Sequence, residues 1–172
     1  KDADVDVVYV GSIHPQHCQL VLEFLKAKKA VLCEKPLGMN VVETRAMLAA
    51  AQENQVFLME AVWSRFNPIY SALRSQHDVL GDTQLVHASF CADCCGNARC
   101  YERKLGGSAT LDIGIYTLNF AQWMFRGETP EAVTAVGGFF AEDDPTNKTD
   151  KWANVTLRYS GGRCAHLSYH SA

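Results

Sequence analysis

Two stretches of this sequence carry residues whose types and spacing could do chemistry. In the first, an apolar run that ends at Cys33 leads directly into Glu34, Lys35 and Pro36. Proline cannot donate to a sheet ladder, and it holds the residue before it in an extended conformation. The sequence therefore places Lys35 on a rigid turn at the carboxyl end of a strand. Open α/β sheets bind their ligands at that edge.

The second stretch is a helix that follows a pair of glycines. Asp112 and Tyr116 are four residues apart, so helical spacing puts them on one face together with Asn119. A tyrosine in this place could simply be a buried core residue, but a core helix does not need three aligned polar groups. The ordinary pKa of tyrosine is about 10, and a nearby lysine ammonium lowers it. Tyr116 and Lys35 together could take a proton from a hydroxyl while a hydride leaves the adjoining carbon.

The segment that carries Lys35 is predicted to alternate between strands and helices. Strands are expected over residues 4–10, 30–33 and 56–60, and the first should be covered on both faces because it is almost continuously apolar. The second intervening helix should begin at Asn40, with Glu43 completing a capping box. Its expected apolar stripe consists of Val42, Ala46, Ala49 and Ala50. This alternation predicts a parallel sheet with right-handed crossovers.

The pattern changes near Trp63, where we place a domain boundary between residues 1–62 and 63–172. The second part is predicted to contain a long helix over residues 105–126 and several strands with short turns between them. Ser160, Gly161 and Gly162 indicate a hairpin between the last two strands. We therefore expect an α/β domain with a parallel sheet, followed by an α+β domain with a mostly antiparallel sheet.

Composition excludes several classes of partner. The net charge of −3 and the pI near 6.1 give no reason to expect nucleic acid or an anionic membrane. No apolar run approaches the roughly 18 residues that a membrane span needs. The seven scattered cysteines favour free thiols in a reducing compartment, and hence a cytoplasmic location. The first residue is not methionine and the last lies in a strand-like run, so we expect an internal fragment.

Four of the cysteines lie close together in the sequence. Cys91, Cys94, Cys95 and Cys100 could supply a zinc site, since zinc in proteins is often bound by thiolates. Their spacing does not repeat a paired knuckle, however, and a strand residue would have to converge with a loop. The sequence therefore favours free cysteines in a variable loop, and no metal is predicted.

Several motifs resemble those of a known family. The Glu34-Lys35-Pro36 turn with its capped helix, and the run from Gly106 to Tyr116, resemble the glucose-fructose oxidoreductase/inositol dehydrogenase (Gfo/Idh/MocA) superfamily. Residues 9–17, 31–36 and 57–66 are similar to the branch that oxidises trans-dihydrodiols and D-xylose with NADP. Many members carry histidine where this chain has Tyr116, and the tyrosine points to that branch.

The resemblance implies roles for particular residues. Lys35 would contact cofactor and substrate, Tyr116 would be the general acid/base, and Asp112 would orient the substrate or the helix. The coenzyme would lie against Tyr9, Gly11, His14, His17, Glu34, Lys35 and Pro36. The glycine-rich turn and the residue that reads the ribose would lie upstream of Lys1, so this chain alone is expected to be inactive.

The resemblance also implies an organisation for the whole chain. Residues 1–62 would be the second half of a Rossmann-type dinucleotide-binding domain, and residues 63–172 a substrate-binding domain truncated at its C-terminus. Its antiparallel sheet would form a homodimer. Ser108 and Thr110 depart from the family pattern, where small apolar residues are expected, and they are predicted to change the polarity of the pocket.

Two other functions remain open at this point. The protein could oxidise another sugar or polyol within the same superfamily. It could also be a non-catalytic NADPH-binding protein, because a fold does not guarantee an activity. The presence of both Lys35 and Tyr116 favours an enzyme, since a protein without catalysis has no chemical need for that pair.

Overall fold

The computed structural model describes residues 2–172, apart from the side chain of His77. The chain divides into two compact units. The first contains everything described up to Val62 together with Lys104–Gly106, and the second contains Trp63–Arg103 and Gly107–Ala172. The short segment that returns to the first unit was not expected from the sequence.

The first unit is a three-stranded parallel sheet with two helices. Its strands are β1 (Val7–Val10), β2 (Ala30–Glu34) and β3 (Leu58–Ala61), in the order β1-β2-β3. Its helices are α1 (His17–Lys26), which follows a 3-10 turn at His14–Gln16, and α2 (Val41–Asn54). The predicted alternation and parallel pairing are confirmed.

Local signals in α2 correctly placed its start but not its buried face. Asn40 accepts a hydrogen bond from the Glu43 amide at 3.0 Å, as the capping box predicted. The helix packs through Met47 and Ala51, with Ala50 partly buried against the same core. Val42 is 73% exposed and Ala46 and Ala49 are also exposed, so the predicted apolar stripe is wrong except at Ala50. In an alanine-rich helix the faces differ little in hydropathy, and the long side chain of Met47 decides the packing.

The core of the first unit lies on one face of its sheet. Val21, Leu25, Val31, Cys33 and Met47 are completely excluded from solvent. On the other face, Val7 and Tyr9 of β1 are each 59% exposed. The expectation that both faces of β1 are covered is therefore wrong within this unit.

The second unit is built on a four-stranded mixed sheet. Its strands are β4 (Leu85–Cys91), β5 (Ala132–Phe140), β6 (Thr149–Arg158) and β7 (Cys164–His170), in the order β4-β7-β6-β5. The pairs β5–β6 and β6–β7 are antiparallel, which confirms the predicted hairpin. Strand β4 lies parallel to β7, so the sheet is mostly but not wholly antiparallel.

The helices of this unit are short except for the one that carries Tyr116. They are α3 (Pro68–Ser75), α4 (His77–Leu80), α5 (Ala98–Tyr101) and α6 (Ile115–Met124), with 3-10 turns at Trp63–Phe66 and Ser160–Gly162. A further 3-10 turn, Arg103–Leu105, begins at the last residue before the segment assigned to the first unit. A π-helical turn, Thr110–Gly114, leads into α6. The predicted helix from residue 105 is wrong at its start, because Gly106 has a φ of 82°, which an α-helix does not allow.

One face of the mixed sheet is buried against this helical segment. Val86, Val155, Leu167 and Tyr169 are each less than one tenth exposed and form a single cluster with Ile113. Gly114 lies directly on the Tyr169 ring, where an added Cβ would come within 2.8 Å of a ring carbon. Among residues 2–172, no helix is long and apolar enough to cross a membrane.

Candidate active site

The turn at the end of β2 is held from several sides within the first unit. The Tyr9 hydroxyl donates to Glu34 Oε1 at 2.6 Å, and the Leu37 amide donates to Glu60 Oε1 at 2.7 Å. The Lys35 amide also bonds to the Glu34 carboxylate, and the Lys35–Pro36 peptide is cis. Lys35 therefore lies on a turn in which Glu34 before it and Leu37 after it both make hydrogen bonds. We call residues 33–37 the strand-edge turn.

His17 joins this turn to the loop that follows β1. Its side chain is fully buried, with Nδ1 2.8 Å from the Pro36 carbonyl oxygen and Nε2 3.0 Å from the Ser12 carbonyl oxygen. A carbonyl only accepts, so a neutral ring can satisfy one of these contacts and a protonated ring both. His17 is thus a bridge between two backbone segments at the sheet edge.

His14 is the second buried histidine at this edge. It is 5% exposed and meets the His17 ring edge to face at 5.7 Å. Its Nδ1 lies 3.1 Å from the Gly106 carbonyl oxygen, so this nitrogen must carry the proton. A Cβ on Gly106 would lie 2.9 Å from the His14 Cβ, so the close approach requires glycine there.

Burial and the two carboxylates keep the neighbouring acidic groups protonated. The pKa of the Cys33 thiol is raised to about 12 by burial, with Glu60 and Glu34 adding to the effect. The hydrogen bond to Glu34 raises the pKa of Tyr9 as well. The two acidic groups next to Glu34, the Cys33 thiol and the Tyr9 phenol, therefore both lose their protons less readily than free side chains do.

In the second unit, Tyr116 lies at the start of α6 among other aromatic rings. The Trp63 indole N–H donates to the Tyr116 hydroxyl oxygen at 2.7 Å. The Trp63 and Phe90 rings meet the Tyr116 ring edge to face, at 5.8 Å and 5.4 Å. An indole N–H can only donate, so this bond leaves the phenol proton for another acceptor.

These rings border a cavity of about 260 Å³. Trp63, Tyr70, Phe90, Tyr116 and Phe120 supply its aromatic lining, and we call this group the aromatic cage. Trp63 is 60% exposed, so the cage is open to solvent on that side. A cavity with flat apolar walls and one phenol oxygen suits a ring-shaped ligand with a hydroxyl group.

Asp112 is buried and has partners other than those that the sequence suggested. Its Oδ1 accepts from Arg99 Nη1 at 3.0 Å, and its Oδ2 accepts from the Cys100 thiol at 3.4 Å. Burial, followed by the charge of Asp112, raises the pKa of Cys100 to about 12. The shared face predicted for Asp112 and Tyr116 assumed α-helical spacing, which the π-helical turn does not have.

The two hydroxyl residues after the glycine pair are bonded at the start of the helix. Ser108 Oγ accepts from the Leu111 amide at 3.1 Å. The amide and hydroxyl of Thr110 both donate to Asp150 Oδ2, at 2.6 Å and 2.7 Å. Both side chains therefore make structural hydrogen bonds at this point of the chain. The predicted change in pocket polarity stays a prediction.

Three residues in these two regions were missed by reasoning from the sequence. Glu60 could have been found, because β3 is parallel to β2 and the carboxyl ends of parallel strands share one edge. Trp63 lies in the motif at residues 57–66 and at the predicted domain boundary, but no local pattern predicts its hydrogen bond to Tyr116, which is 53 residues away along the chain. Arg99 gave no signal, since its partner Asp112 is 13 residues away along the chain.

Comparisons with known proteins agree with this architecture. Residues 1–62 match the family model described as an oxidoreductase family with an NAD-binding Rossmann fold. Residues 74–172 match the GFO/IDH/MocA C-terminal domain. Among solved structures, the aldose-aldose oxidoreductase of Caulobacter crescentus is 30% identical, with a TM-score of 0.85 over 98% of this chain and 51% of that one. A 3-ketoreductase of Actinomadura kijaniata, solved with NADP, is also 30% identical, with a TM-score of 0.85 over 99% of this chain and 52% of that one.

Relatives of higher identity share one name, trans-1,2-dihydrobenzene-1,2-diol dehydrogenase. The Xenopus laevis protein is 46% identical over 98% of this chain and 50% of its own length. The Danio rerio protein is 47% identical over 96% of this chain and 48% of its own length. The chain thus spans about half the length of the curated relatives it matches. Both of its units match domain models of one family, and the chain belongs to the GFO/IDH/MocA oxidoreductases.

Proposed function

We propose that the protein is an NADP-dependent dehydrogenase that oxidises one hydroxyl of a trans-dihydrodiol. The observation that carries this proposal is the Tyr116 phenol oxygen, which accepts from Trp63 inside the aromatic cage. The names of the vertebrate relatives support the same substrate class. D-xylose is a second candidate, because the apolar face of a sugar ring can also pack on aromatic walls.

Tyr116 is proposed to handle the proton in this reaction. As the alcohol is oxidised, the substrate hydroxyl gives its proton to the Tyr116 oxygen, and the Trp63 N–H stabilises the phenolate that must be present beforehand. A nicotinamide coenzyme held by the residues of the strand-edge turn would supply the hydride acceptor for this oxidation. The family resemblance assigns Lys35 to the same reaction, since an ammonium group favours a phenolate.

Asp112 is proposed to act on the position of the helix. Its carboxylate is buried and already bonded to Arg99 and Cys100, so it anchors the π-helical turn that leads to Tyr116. π-Helical turns inside helices are frequent at functional sites. In this role Asp112 orients the acid/base residue.

The strand-edge turn is proposed to receive the coenzyme in the first unit. It lies at the carboxyl ends of parallel strands, where dinucleotides bind in open α/β sheets. The buried bridges made by His14 and His17 hold the backbone there in one conformation. Tyr9, Gly11, Glu34, Lys35 and Pro36 are the other residues proposed to lie against the coenzyme. The neighbour solved with NADP supports NADP as that coenzyme.

The outer face of the mixed sheet is proposed to form a homodimer contact. His166 lies there opposite His87 and Thr156, and the two histidine rings meet at 5.1 Å. Exposed Val136 on β5, which pairs with Asn154, adds apolar surface to the same face. A His166→Glu variant should sediment as a monomer if this face is the interface, because two copies would bring like charges together.

We propose a cytoplasmic location for the protein. All seven cysteines are described, and each is free. Free thiols of this number are typical of reducing compartments. Fractionation of the source cells followed by immunodetection tests this assignment.

The function is tested with Tyr116→Phe beside Tyr101→Phe in the natural protein that carries this sequence. Reduction of NADP is followed with benzene trans-dihydrodiol and with D-xylose. We expect Tyr116→Phe to lower the rate by about a hundredfold or more while NADPH binding persists. Tyr101→Phe should keep its rate, because its ring lies against Phe140, outside the cage.

Three outcomes would change the proposal. Equal rates for Tyr116→Phe and wild type would show that Tyr116 is not the acid/base. Turnover of D-xylose alone would reassign the substrate to a sugar. NADPH binding without turnover of any diol, sugar or polyol would make the protein a non-catalytic NADPH-binding protein.

A further inference from the structure

We propose that Cys94, Cys100 and Asp112 form a binding site for a thiophilic divalent cation, with Zn²⁺ as its reference ligand. Their two sulfur atoms and one carboxylate oxygen all lie within 4.8 Å of one another. Cys100 and Asp112 are buried, and Cys94 is half-buried. This inference does not depend on the proposed dehydrogenase function.

The spacing of the three groups fits tetrahedral zinc. With a Zn–S bond of about 2.3 Å and a Zn–O bond of about 2.0 Å, a sulfur and an oxygen ligand are roughly 3.5 Å apart. The Cys100 sulfur and Asp112 Oδ2 are 3.4 Å apart before any ion is bound. Two sulfur ligands would be about 3.8 Å apart, so Cys94 has to move by no more than about 1 Å.

The backbone that carries both cysteines is already held in place. The Cys94 amide donates to the Ser171 carbonyl oxygen at 3.0 Å, and the Cys94 carbonyl oxygen accepts from the Asn97 amide at 3.0 Å. The Cys100 amide then donates to the Asn97 carbonyl oxygen at 2.9 Å. The ligands therefore come from an ordered segment, and little chain entropy is lost when an ion binds.

Arg99 completes the charge balance of the site. It occupies Oδ1 of Asp112 and leaves Oδ2 turned toward Cys100. When a metal ion binds, it displaces the two thiol protons to solvent, and two thiolates and one carboxylate then carry three negative charges, which Zn²⁺ and the Arg99 guanidinium neutralise together. A donor that holds the second oxygen of a ligating carboxylate is a common outer partner in zinc sites.

Cobalt is the probe that distinguishes thiolate ligation from loose surface binding. The natural protein is stripped with a chelator, titrated with Co²⁺ and then with Zn²⁺. We expect a thiolate-to-cobalt charge-transfer band that stoichiometric Zn²⁺ abolishes. Cys94→Ser and Asp112→Asn should each weaken binding by at least about 10-fold, in line with the sensitivity of metal sites to their ligands and ligand partners.

Cys164→Ser is the matched control, because Cys164 is half-buried on β7 and lies outside the cluster. It should bind Co²⁺ as wild type does. Cys94 is chosen over buried Cys100 so that folding survives, which circular dichroism verifies. Absence of the charge-transfer band in wild type, or an equal loss in Cys164→Ser, overturns the site. A Cys94–Cys100 disulfide in the unreduced protein also overturns it and makes the pair a redox couple.

Discussion

The strand-edge turn and the aromatic cage are built in opposite ways. In the turn, buried polar groups meet at fixed distances, as in the His17 contacts with the carbonyls of Ser12 and Pro36. In the cage, Trp63 and Phe90 are exposed and meet Tyr116 mainly through ring edges. The turn depends on directional hydrogen bonds, whereas most of the cage depends on apolar contact.

Because of this difference, we expect changes in the turn to affect mainly the stability of the protein and changes in the cage to affect mainly its choice of substrate. A buried polar group that loses its partner costs free energy, so the turn tolerates few alternatives. Apolar rings at the surface can shift without leaving an unpaired group. We infer that the turn suits a single ligand of constant shape, such as a coenzyme. The cage suits a set of substrates that differ in shape.

The largest effect is expected from His17→Leu. This change removes the buried imidazole between the Ser12 and Pro36 carbonyls, and the loss of its hydrogen bond should lower the free energy of unfolding by about 1–3 kcal/mol. Stability and NADPH affinity should fall together, as measured by urea unfolding and fluorescence titration. His17→Gln keeps a side-chain N–H donor and should lose less stability than His17→Leu. An unchanged unfolding midpoint for His17→Leu would show that the bridge is not structural.

Gly114→Ala tests the packing of the helical segment before Tyr116 against Tyr169 of the mixed sheet. The new Cβ would lie 2.8 Å from the Tyr169 ring, so the helix must shift, at about 1–3 kcal/mol of stability. Gly96→Ala is the matched control, because nothing lies within 4 Å of its added Cβ. Differential scanning calorimetry should show a lower Tm for Gly114→Ala alone. Equal Tm values for both variants would contradict the packing described for this helix.

Trp63→Phe tests most directly whether a change in the aromatic cage lowers activity without lowering stability. It keeps an aromatic ring but removes the N–H that bonds to Tyr116. We expect kcat/KM to fall by about 5- to 10-fold, equivalent to about 1 kcal/mol, with Tm unchanged. Trp152→Phe on β6 should leave kcat/KM unchanged, because Trp152 does not line the cage. A loss of stability equal to that of His17→Leu would remove the distinction between turn and cage.

The smallest expected effect is the pH dependence of the free energy of unfolding that comes from the Cys33 thiol in the strand-edge turn. The pKa of Cys33 is raised from 9.0 to about 12 in the folded protein, chiefly by burial. As pH rises above 9.0, the unfolded thiol ionises first, so the free energy of unfolding should decrease. Urea unfolding at two pH values on either side of this threshold measures the decrease. Cys33→Ala should reduce it, and an identical slope in that variant would assign the effect to other groups.

Local patterns predicted the elements better than the contacts between them. The cap at Asn40 and the hairpin at Gly161 depend on neighbours in sequence, and both were correct. The π-helical turn around Asp112 was not predicted, because helical periodicity assumes a constant spacing. The parallel pairing of β4 with β7 also escaped prediction, since these strands are far apart along the chain.

The sequence by itself determined the alternation of the first unit, the rigid Glu34-Lys35-Pro36 turn and the candidacy of Lys35 and Tyr116. These follow from backbone restrictions and side-chain chemistry that act over a few residues. Only the tertiary structure decided that Trp63 donates to Tyr116 and that Asp112 meets Arg99 and Cys100. Such contacts depend on how packed elements bring distant residues together, and no local pattern encodes that distance.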